Sequence, residues 1–149
     1  MPTTTTTPPL EPLAWSHAGL RVADRGRSVA FYRLFGFDEV AWHEGPKVAI
    51  LRSAAGLELN LIVNATADSG GQNVLMDLDP VKHAGYTHMA LRVASVAAAM
   101  SALAEAGVAV SEGPVRLGQN LLAVFVRDPD RNVLELDEVL EGTLEIDKT

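Results

Sequence analysis

At 149 residues the chain accommodates one ordinary domain, or two half-size units sharing a core. A hydrophobic share of 48% against 21% charged, with mean hydropathy +0.13, excludes a disordered chain, and no apolar run approaches the roughly 18 residues of a membrane span. The balance of 12 basic to 19 acidic residues leaves a net charge of −7, which argues against a nucleic-acid backbone as partner, and the absence of cysteine excludes disulfides and thiolate chemistry.

Residues 1–12, rich in Thr and Pro, have almost nothing to bury and read as a disordered tail. They lack the basic and apolar regions of a secretory signal, so a cytoplasmic protein is expected. From Trp15 the pattern alternates. Trp15, His17, Gly19 and Arg21 share one strand face, and Ala18, Leu20 and Val22 the other. A helix over about 25–35 follows, with Val29, Tyr32 and Phe35 as its apolar stripe, Asp24 as N-cap and Gly36 just past its end. Three strands come next, about 38–43, 47–52 and 57–63, punctuated by Gly45-Pro46 and by Ser53 to Gly56. In the last of them Glu58 looks away from the greasy face, as His17 does.

Residues 65–84 read as a linker, and then the chain repeats itself. The stretch Tyr86 to Val93, YTHMALRV, echoes WSHAGLRV from Trp15 to Val22 at an offset of 71 residues, and Gly36 and Gly107 extend the match. Its helix, about 96–106, has Val96, Ala99, Met100 and Leu103 at helical spacing behind the N-cap Ser95. Strands at about 108–111, 121–126 and 133–139 complete the unit, and residues 141–149 form an acidic tail. The expected fold is therefore α+β, two tandem βαβββ modules at about 13–64 and 85–140. Each module offers a histidine on its first strand, His17 or His88, and a glutamate on its last, Glu58 or Glu135, with Glu135 read as the counterpart of Glu58. If the two sheets face each other, the four converge as two imidazoles and two carboxylates, a donor set for one divalent first-row metal with positions left for water or substrate. Trp15 and Tyr86 share faces with the histidines and line a pocket or pack in the core. His43 and His83 stand outside the duplicated pattern and read as surface or loop residues.

The segments HAGLRV, VAFYRLFGF, GLELNLI, GYTHMALRV, SEGP and VRDPDRNVLELDEV resemble the vicinal oxygen chelate superfamily, which includes glyoxalase I, extradiol dioxygenases, methylmalonyl-CoA epimerase and drug-binding resistance proteins. The resemblance covers about residues 15–139 and implies a cupped, partly open β-sheet barrel with its helices outside. In ligand pattern it is closest to glyoxalase I, a lyase. It implies one ion of Ni, Co, Zn, Mn or Fe on His17, Glu58, His88 and Glu135, with Glu135, or else Glu58, moving a proton between adjacent carbons of a small chelated substrate. Arg21 stands where glyoxalase I has an arginine that holds a glutathione carboxylate, Arg116 resembles a basic residue of the same region, and Arg92 and Asn60 complete the substrate-binding set, so the substrate includes thiol conjugates. The asparagine that bacterial glyoxalase I carries four residues after its first glutamate is Ile62 here, with Asn60 and Asn64 nearby. A homodimer with no membrane or nucleic-acid partner is expected. The alternatives are an extradiol-type dioxygenase, which uses two histidines and one carboxylate, and a metal-free drug-binding protein.

Overall fold

A computed structural model describes residue 9, residues 12–67, residue 80 and residues 86–140 of the chain. Most of the tail expected at 1–12, most of the linker with His83, and the acidic segment 141–149 lie outside the described residues. The first module contains β1 (Ala18–Val22), α1 (Arg25–Arg33), β2 (Asp38–His43), β3 (Val48–Arg52) and β4 (Glu58–Val63). The second contains β5 (His88–Arg92), α2 (Val96–Glu105), β6 (Val110–Leu117), β7 (Leu121–Arg127) and β8 (Val133–Val139). Each module folds into one four-stranded sheet, ordered β1-β4-β3-β2 and β5-β8-β7-β6, with the first strand parallel to the last and the others antiparallel. Neither sheet closes into a barrel, and β1 and β5 are both edge strands.

The helix ends follow their caps. Asp24 accepts from the Arg27 N–H at 2.7 Å and Ser95 from the Ala98 N–H at 3.1 Å, each satisfying a donor that the first turn leaves free. Both helices stop at a glycine in the left-handed region, Gly36 (φ 82°) and Gly107 (φ 73°). Alternation then sorts the sheets: Leu51, Leu59, Leu61, Val124, Val126, Leu134 and Leu136 are buried with Val29, Tyr32, Val96 and Leu103 of the helices in one core common to both modules. The opposite face carries the polar residues, and in the second sheet they share it with a small buried cluster of Ala123, Phe125 and Val133.

Strand β6 departs from the expected pattern. It runs to Leu117 rather than stopping near Ser111, and its pairing with β7 is irregular between Val110 and Glu112 and again between Glu112 and Val115. Gly113 permits this: its φ is 92°, and a Cβ there would lie 2.7 Å from the Ala123 carbonyl oxygen. The parity shift matters for Arg116, which pairs with Leu122, a residue packed against the core cluster.

The modules are also clamped through the turn before β8. The Tyr32 hydroxyl donates to Asp128 at 2.6 Å, and Asp128 in turn accepts from the backbone N–H groups of Asp130 and Asn132 and from the Asn132 side chain. Asp130 accepts from the Ala23 N–H, from Arg27 and from Ser28 at the start of α1. Burial, with the negative charge of Asp128 beside it, pushes the Tyr32 hydroxyl far above its ordinary pKa.

Candidate metal and substrate site

His17 precedes β1 and His88 opens β5, each directly after a hydroxyl residue. The Ser16 hydroxyl lies 2.8 Å from His17 Nδ1, and the Thr87 hydroxyl 2.8 Å from His88 Nδ1. Where Nδ1 carries the proton and donates to that hydroxyl, Nε2 presents its lone pair, the arrangement that a metal ligand needs. In the second module Nε2 of His88 lies 3.0 Å from Glu135 Oε2, and Glu135 is only 6% exposed. Phe125 stands edge-on to the His88 ring at 6.1 Å between centroids. Two donors bound at about 2.1 Å to neighbouring positions of a six-coordinate ion lie about 3 Å apart, so His88 and Glu135 fit one edge of such a shell.

The first module is arranged differently. Glu58 accepts from Arg52 at 2.8 Å across the strand pair, and its other oxygen is 3.8 Å from His17 Nδ1. Register also corrects the expected correspondence of the glutamates. Gly19 pairs with Asn60, whereas Ala90, 71 residues after Gly19, pairs with Glu135. The counterpart of Glu135 is thus Asn60, and that of Glu58 is Val133. The slip arose because both segments alternate acidic and apolar residues, and alternation fixes a face without fixing a position along it.

His17, His88 and Glu58 line one cleft of about 1590 Å³ that runs along the free edges of β1 and β5, together with Arg21, Arg92, Trp15 and Tyr86. The rings of Trp15 and Tyr86 are exposed, at 99% and 100%, so they line the cleft rather than pack in the core. Among the described residues no three His, Asp or Glu side chains gather closely enough to hold an ion together. Within a single chain the four lie as two pairs, His17 with Glu58 and His88 with Glu135.

The two cleft arginines also differ. Arg92 is ion-paired through its Nε to the buried Asp137, which raises the guanidinium pKa. Arg21, its counterpart, faces Ile62 in register and donates instead to the neutral amide of Asn64 at 2.9 Å. Arg116 lies off the cleft-facing surface, bonded to the Gln119 carbonyl at the hairpin tip. Asp137, Arg52 and the two hydroxyls were not singled out in the sequence. The hydroxyls carried a signal there, since both precede the repeated histidine.

Two βαβββ modules, each presenting a histidine at the start of an edge strand, define a duplicated architecture. The chain belongs to the Glyoxalase/Bleomycin resistance protein/Dioxygenase superfamily, whose family model matches residues 15–136. No curated protein matches it. Among solved structures, the fosfomycin resistance protein FosX of Listeria monocytogenes is 21% identical with a TM-score of 0.66, covering 91% of this chain and 95% of that one. A glyoxalase family protein of Bacillus cereus is 15% identical, TM-score 0.68, over 91% of this chain and 100% of that one. A substituted form of the Listeria protein, 20% identical with a TM-score of 0.65 over 91% and 96%, was solved with Mn(II) and 1S,2S-dihydroxypropylphosphonic acid. At these identities the likeness is one of fold.

Proposed function

We propose that this chain is a divalent-metal-dependent enzyme that transfers a proton on a small anionic substrate bearing adjacent oxygens, the glyoxalase type of reaction. The observation that carries this reading is the His88–Glu135 pair, set at the spacing of two neighbouring ligands, with Glu135 buried and His88 lining the same cleft as His17. His17, His88 and Glu135 would hold the ion, each imidazole through Nε2. When bound, such an ion polarises a substrate oxygen and eases loss of a nearby proton. Glu58 lines the cleft while Glu135 lies behind His88, so Glu58 takes the role of proton acceptor, with Arg52 holding its carboxylate in place. Arg21, paired only to a neutral amide, meets the anionic group of the substrate. The second reading is an extradiol-type dioxygenase, favoured by one specific observation: Asn60 at the register position of Glu135 leaves two histidines and a single carboxylate as matched donors.

We further propose that the working form is a homodimer in which the first-module half-site of one copy meets the second-module half-site of the other. Supporting this, among the described residues the two pairs form no common ligand group, β1 and β5 are both edge strands, and the cleft exceeds the roughly 300–1,000 Å³ of an ordinary ligand pocket. The test mixes inactive His17→Ala and His88→Ala subunits. A shared site returns about a quarter of wild-type turnover on a panel of hemithioacetals, because half of the randomly paired dimers carry one intact site. No recovery on mixing would place each site within one chain. Metal content of protein purified without added metal, at about one per chain, separates the enzyme from a metal-free binder, and iron with catechol turnover would select the second reading.

A further inference from the structure

The chain departs from its own duplication at position 60, and this inference rests on the metal-dependent reading above. The turns before β4 and β8 fix the correspondence independently of the strands. Ser53 N–H donates to the Leu57 carbonyl at 2.9 Å, and Asp128 N–H to the Asn132 carbonyl at 2.9 Å, an offset of 75 residues that carries Asn60 onto Glu135. Each of the two lies beside a small residue of the first strand, Gly19 or Ala90, so no neighbouring side chain of that strand covers it. Asn60 Oδ1 is the one buried side-chain oxygen or nitrogen among the described residues that has no hydrogen-bond partner. A buried acceptor left unpaired is costly, and a polar group of this kind persists where a water or ligand brings the missing donor.

We infer that Asn60 occupies the place of a second carboxylate ligand, and that its amide oxygen accepts a hydrogen bond from the water or substrate hydroxyl filling the coordination position left open there. A carboxylate at this place would bind the ion itself and cancel its second charge. The neutral amide does neither. An ion held by two imidazoles and one carboxylate would keep a net positive charge and room for exchangeable ligands, and so would favour an anionic, chelating substrate over a neutral one.

The experiment is a titration of wild type, Asn60→Glu and Asn60→Asp with Mn(II) alone, followed by water-proton relaxation, which reads both affinity and the number of bound waters. Asn60→Glu is expected to tighten binding by about tenfold and to lower the relaxivity per bound ion by about a third, as one of three waters is displaced. Wild type that binds Mn(II) while Asn60→Glu changes neither quantity overturns the role of position 60 alone. Wild type that fails to bind Mn(II) overturns the metal reading and this inference with it. Should Asn60→Glu fail to fold, the isosteric Asn60→Asp carries the test: Mn(II) must raise its Tm by more than it raises that of wild type, and an equal shift overturns the inference.

Discussion

The two modules share a frame and differ in what they place on it. On the cleft-facing side of the second, His88 is set against Glu135 and Arg92 against Asp137, with both carboxylates buried. The corresponding positions of the first are His17, Asn60, Arg21 and Ile62, where no acid follows the pattern. Duplication kept the strands, caps and turns, and divergence acted on the side chains facing the cleft. The second module sets its imidazole and its guanidinium each against an acid, while in the first the guanidinium of Arg21 meets only a neutral amide. If this contrast governs binding, removing a donor from the second module does more damage than removing one from the first.

The largest effect is therefore expected in metal affinity. His88→Ala or Glu135→Ala lowers Mn(II) affinity about a hundredfold or more and His17→Ala about tenfold, measured by titration calorimetry. Equal losses in all three would show that the modules contribute alike. The arginines sharpen the comparison: Arg21→Lys weakens binding of methylphosphonate to the metal-loaded protein about tenfold, whereas Arg92→Lys changes it by less than about twofold. The reverse order would move the anion to the second module.

A third contrast lies in the clamp. By the same correspondence the partners of Tyr32 and Asp128 are Leu103 and Ser53, so the bond between Tyr32 and Asp128 exists on one side only. Tyr32→Phe costs about 1 kcal/mol at neutral pH. Because the folded pKa is raised above the ordinary 10.0, the unfolded chain loses this proton first; the stabilisation is complete below that pH and is lost as pH rises above it. Denaturant melts between pH 9 and 11 should show a steeper fall for wild type than for Tyr32→Phe, and parallel curves would deny the shift. The smallest effect is that of Asp137→Asn, about 1 kcal/mol or less by chemical denaturation, since the Arg92 side chain remains 58% exposed and screened by water. A loss of several kcal/mol would mean that this pair supports the sheet as well as neutralising Arg92.

Much of this was legible in the residues because it rests on short-range rules. Asp24 and Ser95 announced the helix starts, Gly36 and Gly107 the ends, and the repeated aromatic-hydroxyl-histidine run announced the duplication. Period-2 alternation put Glu58 and Glu135 on the same kind of face, which register respects. What alternation could not supply was the position along the strand, so Glu58 stood in for Asn60 until pairing with Gly19 fixed it. Strand β6 runs past its expected end for a related reason: Gly113-Pro114 reads as a break before pairing shows it inside a strand. Asp137 was hidden because the residue that gives it meaning, Arg92, is 45 positions away.

The one-sided clamp has a consequence for how the halves find each other. Two near-copies of one unit could each pair with a second copy of itself as readily as with the other. Only the pairing of unlike units brings a phenol to the carboxylate of Asp128 and the start of α1 to Asp130. The clamp therefore breaks the degeneracy that duplication creates, and it does so through side chains rather than through the peptide joining the units. Residues 1–67 and 68–149, expressed as two separate polypeptides, should for that reason reassemble as the unlike pair, with Tyr32→Phe allowing more self-pairing.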